Sequence, residues 1–153
     1  MSNLVGFNDN KVVNLKIIII EDEEYKYNKL KEVLNRILDN SEIIRAKSRN
    51  SALRIIKEYY RRDDYFELII CDNYMPLFDN DNRIIPCAYD IINYIRRTIS
   101  KEVPICVCSS EKVDLCNYDY YIKYDSSLSL ETYENEFKQI FSTINKKKRI
   151  LLK

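Results

Sequence analysis

The feature that most constrains the fold is the segment 15–20, in which four consecutive isoleucines follow Leu15 and Lys16. A run of this kind is typical of a strand that is buried on both faces of a sheet. From Glu23 onward the period changes, and charged residues separate apolar residues that recur on one face of an α-helix: Leu30, Val33, Leu34, Ile37 and Leu38. A buried strand followed by an amphipathic helix predicts the first unit of an α/β domain.

The alternation of strand and helix continues along the chain. Further strands are predicted at 42–46, 67–71, 104–108 and 120–123, and further helices from about residue 50, at 88–99, and after a capping Ser129. Five strand–helix units predict a doubly wound five-stranded parallel sheet with helices on both faces.

The fourth of these units is unusually short. Only residues 110–118 separate Ser109 from the last strand region. A crossover between parallel strands needs roughly 10 to 12 residues when it includes a helix. We therefore expect the fourth helix to be vestigial or absent.

Composition excludes several classes of site. The chain has no histidine and a single glycine, Gly6, so it cannot form a histidine-based triad or a glycine-rich phosphate loop. Its formal net charge is +1, which gives no overall attraction to nucleic acid or an anionic membrane. The five cysteines form no C-x-x-C pair and predict free thiols in a cytoplasmic protein. Cys71, Cys106 and Cys108 lie in apolar strand runs and are expected in the core.

Chemically active side chains follow the predicted strands. Glu21 and Asp22 come after the first strand, Asp72 after the third, Ser109 after the fourth, and Lys123 at the end of the fifth. In a doubly wound sheet these carboxyl ends share one edge, where ligands bind. Converging carboxylates repel one another and need a cation, for which Mg²⁺ or Mn²⁺ is best suited.

This set of residues can carry out phosphoryl transfer. Asp72 is the candidate nucleophile, because carboxylates form aspartyl-phosphate intermediates and are already ionised at neutral pH. A metal ion held partly by Asp22 would offset the charge on the transferred oxygens, together with Lys123. Glu21 would support the metal directly or through water, and Ser109 would offer a hydroxyl to the same centre.

Four segments of the chain resemble, in the right order, the sequence blocks of bacterial response-regulator receiver domains, the CheY-like family. They read IIIIEDEE, LIICDNYMP, VPICVCSSEK and YYIK, and the resemblance extends over about residues 15–145. It implies a flavodoxin-like (βα)5 fold. It also implies a domain that accepts a phosphoryl group on an aspartate and is a signalling domain rather than an enzyme.

The resemblance assigns roles to the residues around the acceptor. Asp72 matches the phospho-acceptor, and Glu21 and Asp22 match the acidic pair that helps to hold Mg²⁺ or Mn²⁺. Tyr74 would offer its backbone carbonyl to the same metal. The Met75–Pro76 turn after the acceptor also matches the family, although the glycine that usually follows is missing.

The resemblance also assigns the switch residues. Ser109 matches the switch hydroxyl, Lys123 the lysine that binds the phosphoryl group, and Tyr120 the aromatic residue whose rotamer follows Ser109. Two departures accompany these matches. Tyr124 stands where the family usually has proline, and the loop 77–87 is long and polar.

These assignments predict a receiver of a bacterial two-component phosphorelay, phosphorylated by a sensor histidine kinase or a phosphotransfer protein. Residues 1–14 are expected to form an N-terminal arm, 15–145 the receiver domain, and 146–153 a basic C-terminal tail. No output domain follows in the sequence, so output is expected through protein contact, including a homodimer, unless the chain belongs to a longer regulator. Nucleic acid and membrane are not expected partners.

Three other functions stay open at this point. A pseudo-receiver would keep the fold and act as an interaction module without phosphorylation. A metal-dependent phosphate-ester hydrolase is disfavoured, because such enzymes commonly carry a second aspartate where this chain has Tyr74. A nucleic-acid binder would depend only on the basic run 146–149.

Overall fold

The structure is a computed structural model that describes residues 15–114 and 117–152, with side chains as far as residue 145. The predicted arm, 1–14, and Cys116 lie outside the described residues.

Within the described residues, five strands form one parallel sheet: β1 (Leu15–Ile20), β2 (Ser41–Ala46), β3 (Leu68–Cys71), β6 (Ile105–Ser109) and β7 (Tyr120–Lys123). Their spatial order is β2-β1-β3-β6-β7. Numbered within this sheet alone, the order is 2-1-3-4-5, that of the flavodoxin-like fold. The predicted fold class is therefore confirmed. An antiparallel pair, β4 (Tyr74–Met75) and β5 (Ile85–Pro86), lies outside this sheet and closes the loop after β3.

In the part of the chain that the structure describes, four α-helices accompany the strands: α1 (Glu24–Ile37), α2 (Arg49–Arg61), α3 (Ala88–Tyr94) and α4 (Leu130–Leu152). A π-helical turn, Ile95–Ile99, extends α3. Helix α4 continues through most of the segment that was predicted as a tail. Ser129 Oγ accepts a hydrogen bond of 3.4 Å from the Thr132 N–H, as expected of a residue that caps this helix.

Two hydrophobic cores cover the two faces of the sheet. Ile17 and Ile19 of β1 pack with α1 and α4, whereas Ile18 and Ile20 pack with α2 and α3. All four side chains are fully buried, which explains why this strand has no polar face. The cysteines at 71, 106 and 108 are free and buried in these cores, as predicted.

No helix occurs between Ser109 and β7 in the described residues 110–114 and 117–119, which confirms that the fourth helix is absent there. The Arg96 side chain anchors this segment. It donates hydrogen bonds to the Asn117 carbonyl at 2.9 Å and to the Asp119 carboxylate at 2.8 Å. The same carboxylate accepts the Ile105 N–H at 2.8 Å, so Asp119 ties the crossover to β6. In these described residues, the crossover supplies no helix to cover β7 on the side of the sheet that carries α2 and α3.

The long loop after β3 is held at the start of α2. The backbone N–H groups of Arg49 and Asn50 donate to the carbonyls of Pro76 and Leu77, each at 3.0 Å. These bonds fix the position of the first residues of the loop.

Among the described residues, no helix is both long enough and apolar enough to cross a membrane.

Candidate functional site

Three carboxylates meet at the carboxyl ends of β1 and β3. The two strands are adjacent and parallel, with Ile20 opposite Cys71, so Glu21 and Asp72 leave the sheet side by side. One carboxylate oxygen from each of Glu21, Asp22 and Asp72 lies within 4.8 Å of the other two. The fold therefore brings together the three acids that the sequence predicted.

These carboxylates differ in their environments. Glu21 is 2% exposed, and its Oε2 accepts the Glu23 N–H at 3.1 Å. Asp72 is more accessible, with 15% of its side chain exposed, and Asp22 is half-buried. A ligand can therefore approach Asp72 and Asp22 more easily than Glu21.

A lysine that was not predicted as a site residue lies among these acids. The Nζ atom of Lys26 is 2.8 Å from Glu21 Oε1 and 3.3 Å from Asp72 Oδ1. It also donates a hydrogen bond of 2.7 Å to the carbonyl of Cys108, at the end of β6. Lys26 is only 4% exposed, so these contacts form in a region from which water is largely excluded.

Lys26 reaches the site because it lies on the inner face of α1. It precedes Leu30 by four residues, and Val33, Leu34 and Ile37 continue the same buried face. A lysine is almost never fully buried unless it is paired. A lysine at helical spacing from a run of core residues was therefore the signal in the sequence that could have identified this residue.

Burial and mutual charge shift the protonation of the cluster. Burial raises the pKa of Glu21 to about 7, with the ion pair to Lys26 opposing the rise and Asp72 adding to it. Burial also raises the pKa of Asp72, opposed by Lys26 and by the Asn73 N–H. For Lys26, burial acts to lower the pKa, but Cys108, Asp72 and Glu21 outweigh it and hold the pKa above its ordinary value.

The two oxygens of Asp72 have different roles. Oδ1 accepts the Asn73 N–H at 2.7 Å and also contacts Lys26. No hydrogen bond within the described part of the chain engages Oδ2, and 15% of the Asp72 side chain is exposed. Oδ2 is therefore the oxygen available to attack an incoming group.

The predicted switch residues lie farther from the acids. Ser109 is buried, and its hydroxyl donates to the Glu111 carbonyl at 2.6 Å. The Lys123 side chain is exposed, and it has no ion pair among the residues whose side chains are described. Tyr120 packs against the α1 and α4 core, whereas the neighbouring Tyr121 donates its hydroxyl to the Ser109 carbonyl at 3.0 Å.

Tyr124 occupies the place next to Lys26. Its ring centroid is 4.9 Å from Lys26 Nζ, and the ring stacks on Tyr133 at 5.9 Å between centroids. The Tyr124 N–H donates to the Ser109 carbonyl at 2.9 Å, which continues the pairing of β6 and β7 past Lys123. Tyr124, which stands where receiver domains usually have proline, thus covers one side of the Lys26 ammonium.

Comparison with known proteins gives matches in structure alone. No protein-family model matches the chain, and no curated protein matches it in sequence. The phosphorylated cyanobacterial phytochrome response regulator RcpA aligns with a TM-score of 0.66 and 17% identity, over 84% of this chain and 91% of RcpA. The chain has the fold of a response-regulator receiver domain.

Two other receiver-fold structures agree with this result. The chemotaxis response regulator CheY4 of Vibrio cholerae aligns with a TM-score of 0.62 and 15% identity, over 84% of this chain and 99% of CheY4. A two-component response regulator from Clostridium difficile aligns with a TM-score of 0.60 and 22% identity, over 86% of this chain and 99% of that protein.

The donor set at this end of the receiver fold suits a hard divalent cation. Glu21, Asp22 and Asp72 offer only oxygen atoms, which Mg²⁺ and Mn²⁺ prefer. With all three acids ionised and Lys26 charged, the formal charge of the group is −2, which a divalent ion would neutralise. Tyr74, whose backbone carbonyl was predicted to join this set, lies in β4 with its side chain 48% exposed. Its contact with a metal stays a prediction.

Proposed function

We propose that this protein is the phospho-accepting receiver of a two-component system, with Asp72 as the residue that is phosphorylated. The observation that supports this most directly is the arrangement of the Asp72 carboxylate. One oxygen contacts a backbone N–H and an ammonium group, and the other accepts no hydrogen bond from the described residues, within a cluster of three acids at the ligand-binding edge of a receiver fold.

The transfer step uses the free oxygen of Asp72. A lone pair on Oδ2 forms the new P–O bond, while the bond from phosphorus to the donor breaks and its electron pair leaves with the donor. The chain has no histidine, so a sensor histidine kinase or a phosphotransfer protein would supply the phosphohistidine. The Asn73 N–H holds Oδ1 and orients the carboxylate for this attack.

Glu21, Asp22 and Asp72 would hold Mg²⁺ or Mn²⁺, with the Tyr74 carbonyl as a further ligand. The bound cation would neutralise charge on the phosphoryl oxygens. Asp22 is more exposed than Glu21, so its carboxylate can bind a metal ion from solvent more easily. Glu21 also forms an ion pair with Lys26, so its carboxylate would contact both the metal ion and this ammonium.

The predicted switch residues require movement if they are to respond to phosphorylation. Ser109 would have to release the Glu111 carbonyl before its hydroxyl could reach a phosphoryl oxygen. Lys123 would have to turn in from solvent, and Tyr120 would have to leave the core against which it packs. We infer that a partner protein, or a second copy of this chain, reads these changes in the bacterial cytoplasm, where the kinase domains of such systems act.

Intact-mass measurement tests this proposal. The full chain is incubated with acetyl phosphate or phosphoramidate, with and without Mg²⁺, beside Asp72→Asn, which removes the acceptor with little change of shape. We expect the mass of one phosphoryl group to be added to the original chain only when Mg²⁺ is present, and no addition to the variant. Equal addition to both chains would assign the phosphate to another residue.

One observation favours a second function, that of a pseudo-receiver. Lys26 already neutralises part of the acidic cluster, so the fold does not require a metal ion to hold the acids together. In that case the protein would bind its partner without phosphorylation. Absence of any added mass, together with no heat of Mg²⁺ binding in calorimetry, would make this second function the better one.

A further inference from the structure

The cation at the acidic cluster comes from helix α1 and not from the end of β7. We propose that Lys26 contacts the phosphoryl group on Asp72, taking the role that the sequence pattern gives to Lys123. This role rests on the proposed function, in which Asp72 is the acceptor.

Three oxygen atoms surround the Lys26 ammonium. They are Glu21 Oε1 at 2.8 Å, Asp72 Oδ1 at 3.3 Å and the Cys108 carbonyl at 2.7 Å. Within the described residues, only the Cys108 carbonyl accepts a hydrogen bond from this ammonium, and the other two contacts are ion pairs. An ammonium group has three N–H donors, so Lys26 keeps N–H groups that can donate to a phosphoryl oxygen. The three oxygen atoms belong to the ends of three different strands, β1, β3 and β6. The charge is therefore held in place before a phosphoryl group arrives.

The position of this charge suits the transfer step. Lys26 contacts Oδ1 of Asp72, and the new bond forms at Oδ2 of the same carboxylate. The oxygens of the transferred phosphoryl group therefore come to lie beside a buried ammonium. Electrostatic attraction is stronger there than in water. Lys26 keeps its proton throughout, since the electron pair of the broken bond leaves with the donor.

The aromatic residue beside Lys26 supports the same assignment. Tyr124 is 9% exposed and presents its ring to the ammonium at 4.9 Å. A ring face attracts a cation and occupies space that water would otherwise fill. Tyr124, which stands where receiver domains usually have proline, is therefore in contact with Lys26.

The placement of Lys123 follows from the missing fourth helix. Side chains alternate along a strand, so Ile122 and Tyr124 face the α1 and α4 core, whereas Tyr121 and Lys123 face the opposite side. A fourth helix in the crossover would cover that side of β7. No such helix is present in the described residues 110–114 and 117–119, and Lys123 is exposed.

The two lysines give opposite predictions in a phosphorylation assay. Lys26→Met, Lys123→Met and the original chain are treated with acetyl phosphate and saturating Mg²⁺, and the rate of mass addition is measured. Lys31→Met is the matched control, since Lys31 is an exposed lysine of the same helix. We expect Lys26→Met to lose about 100-fold in rate, the usual effect of removing one group that stabilises developing charge. The Lys123 and Lys31 variants should stay within about threefold of the original chain.

A second variant separates this role from charge balance in the fold. Lys26→Met leaves three carboxylates close together without the compensating ammonium, which destabilises the folded protein. The double variant Lys26→Met/Glu21→Gln removes both members of the buried pair and restores the formal charge of −2. It is compared with Glu21→Gln alone, and near-ultraviolet circular dichroism checks that both are folded. The double variant should transfer about 100-fold more slowly than Glu21→Gln.

The outcomes distinguish this inference from the proposed function. No phosphorylation of the original chain would overturn the function of Asp72 itself. Phosphorylation of the original chain with equal rates for Glu21→Gln and the double variant would overturn the role of Lys26 alone. A large loss in Lys123→Met, with Lys26→Met unchanged, would return the role to the end of β7.

Discussion

The first turn of α1 and the last residues of β7 each bring a lysine to the same end of the sheet, and only one lysine reaches the acids. Lys26 is buried and contacts Glu21 and Asp72, whereas Lys123 is exposed. The difference lies in what covers each element. The inner face of α1 packs on the sheet, but the crossover that would cover Lys123 has no helix in its described residues. Packing of the surrounding elements, rather than position in a motif, decides which charge enters the site.

The largest expected difference between the two regions is in stability. Removing one partner of a buried ion pair costs about 3–5 kcal/mol, because the other charge is left buried and uncompensated. Lys26→Met should therefore lower the free energy of unfolding of the metal-free protein by about this amount, measured by urea denaturation. Lys123→Met should change it little, since the side chain is exposed. Similar losses in the two variants would mean that Lys123 is also engaged in the folded protein.

A smaller effect is expected at Tyr124, the residue that joins the two regions. Tyr124→Leu removes the ring that faces Lys26 and stacks on Tyr133, and should cost about 1–2 kcal/mol. Tyr124→Phe keeps the ring and removes a buried hydroxyl that has no hydrogen-bond partner in the described structure. It should be neutral or slightly stabilising. A loss in Tyr124→Phe as large as that in Tyr124→Leu, measured by thermal unfolding, would show that the hydroxyl has a partner.

A pH dependence of stability is also expected from Glu21, the buried partner of Lys26. The folded-state pKa of Glu21, about 7, lies above its ordinary value of 4.5. The folded state therefore binds this proton more tightly than the unfolded state does. The stability that this provides is fully present below about pH 4.5 and is lost as the pH rises through 7.

Urea unfolding in the presence of a chelator can measure this dependence. Between pH 5 and pH 8, Glu21→Gln should lose less stability than the original chain, because its side chain does not titrate. The pKa of Asp72 is raised as well, so the difference between the two proteins reports the titration of Glu21 together with its coupling to Asp72. Parallel curves for the two chains would indicate that Glu21 stays ionised throughout this range.

Local patterns in the sequence were enough to predict the fold and the positions of the acids. Strand period, helix period and the short fourth crossover identified a five-stranded parallel sheet with one helix missing. Glu21, Asp22 and Asp72 could be placed together because the carboxyl ends of parallel strands share one edge of the sheet. These inferences need only local patterns and a topological rule.

Which side chains enter the site depends on tertiary packing. Lys26 lies in a helix, whereas the predicted site residues lie in strands or shortly after them. Ser109 and Tyr121 likewise form hydrogen bonds that depend on the path of the crossover between β6 and β7. A side chain several bonds long can reach different partners from one backbone position, and only the packing around it selects among them.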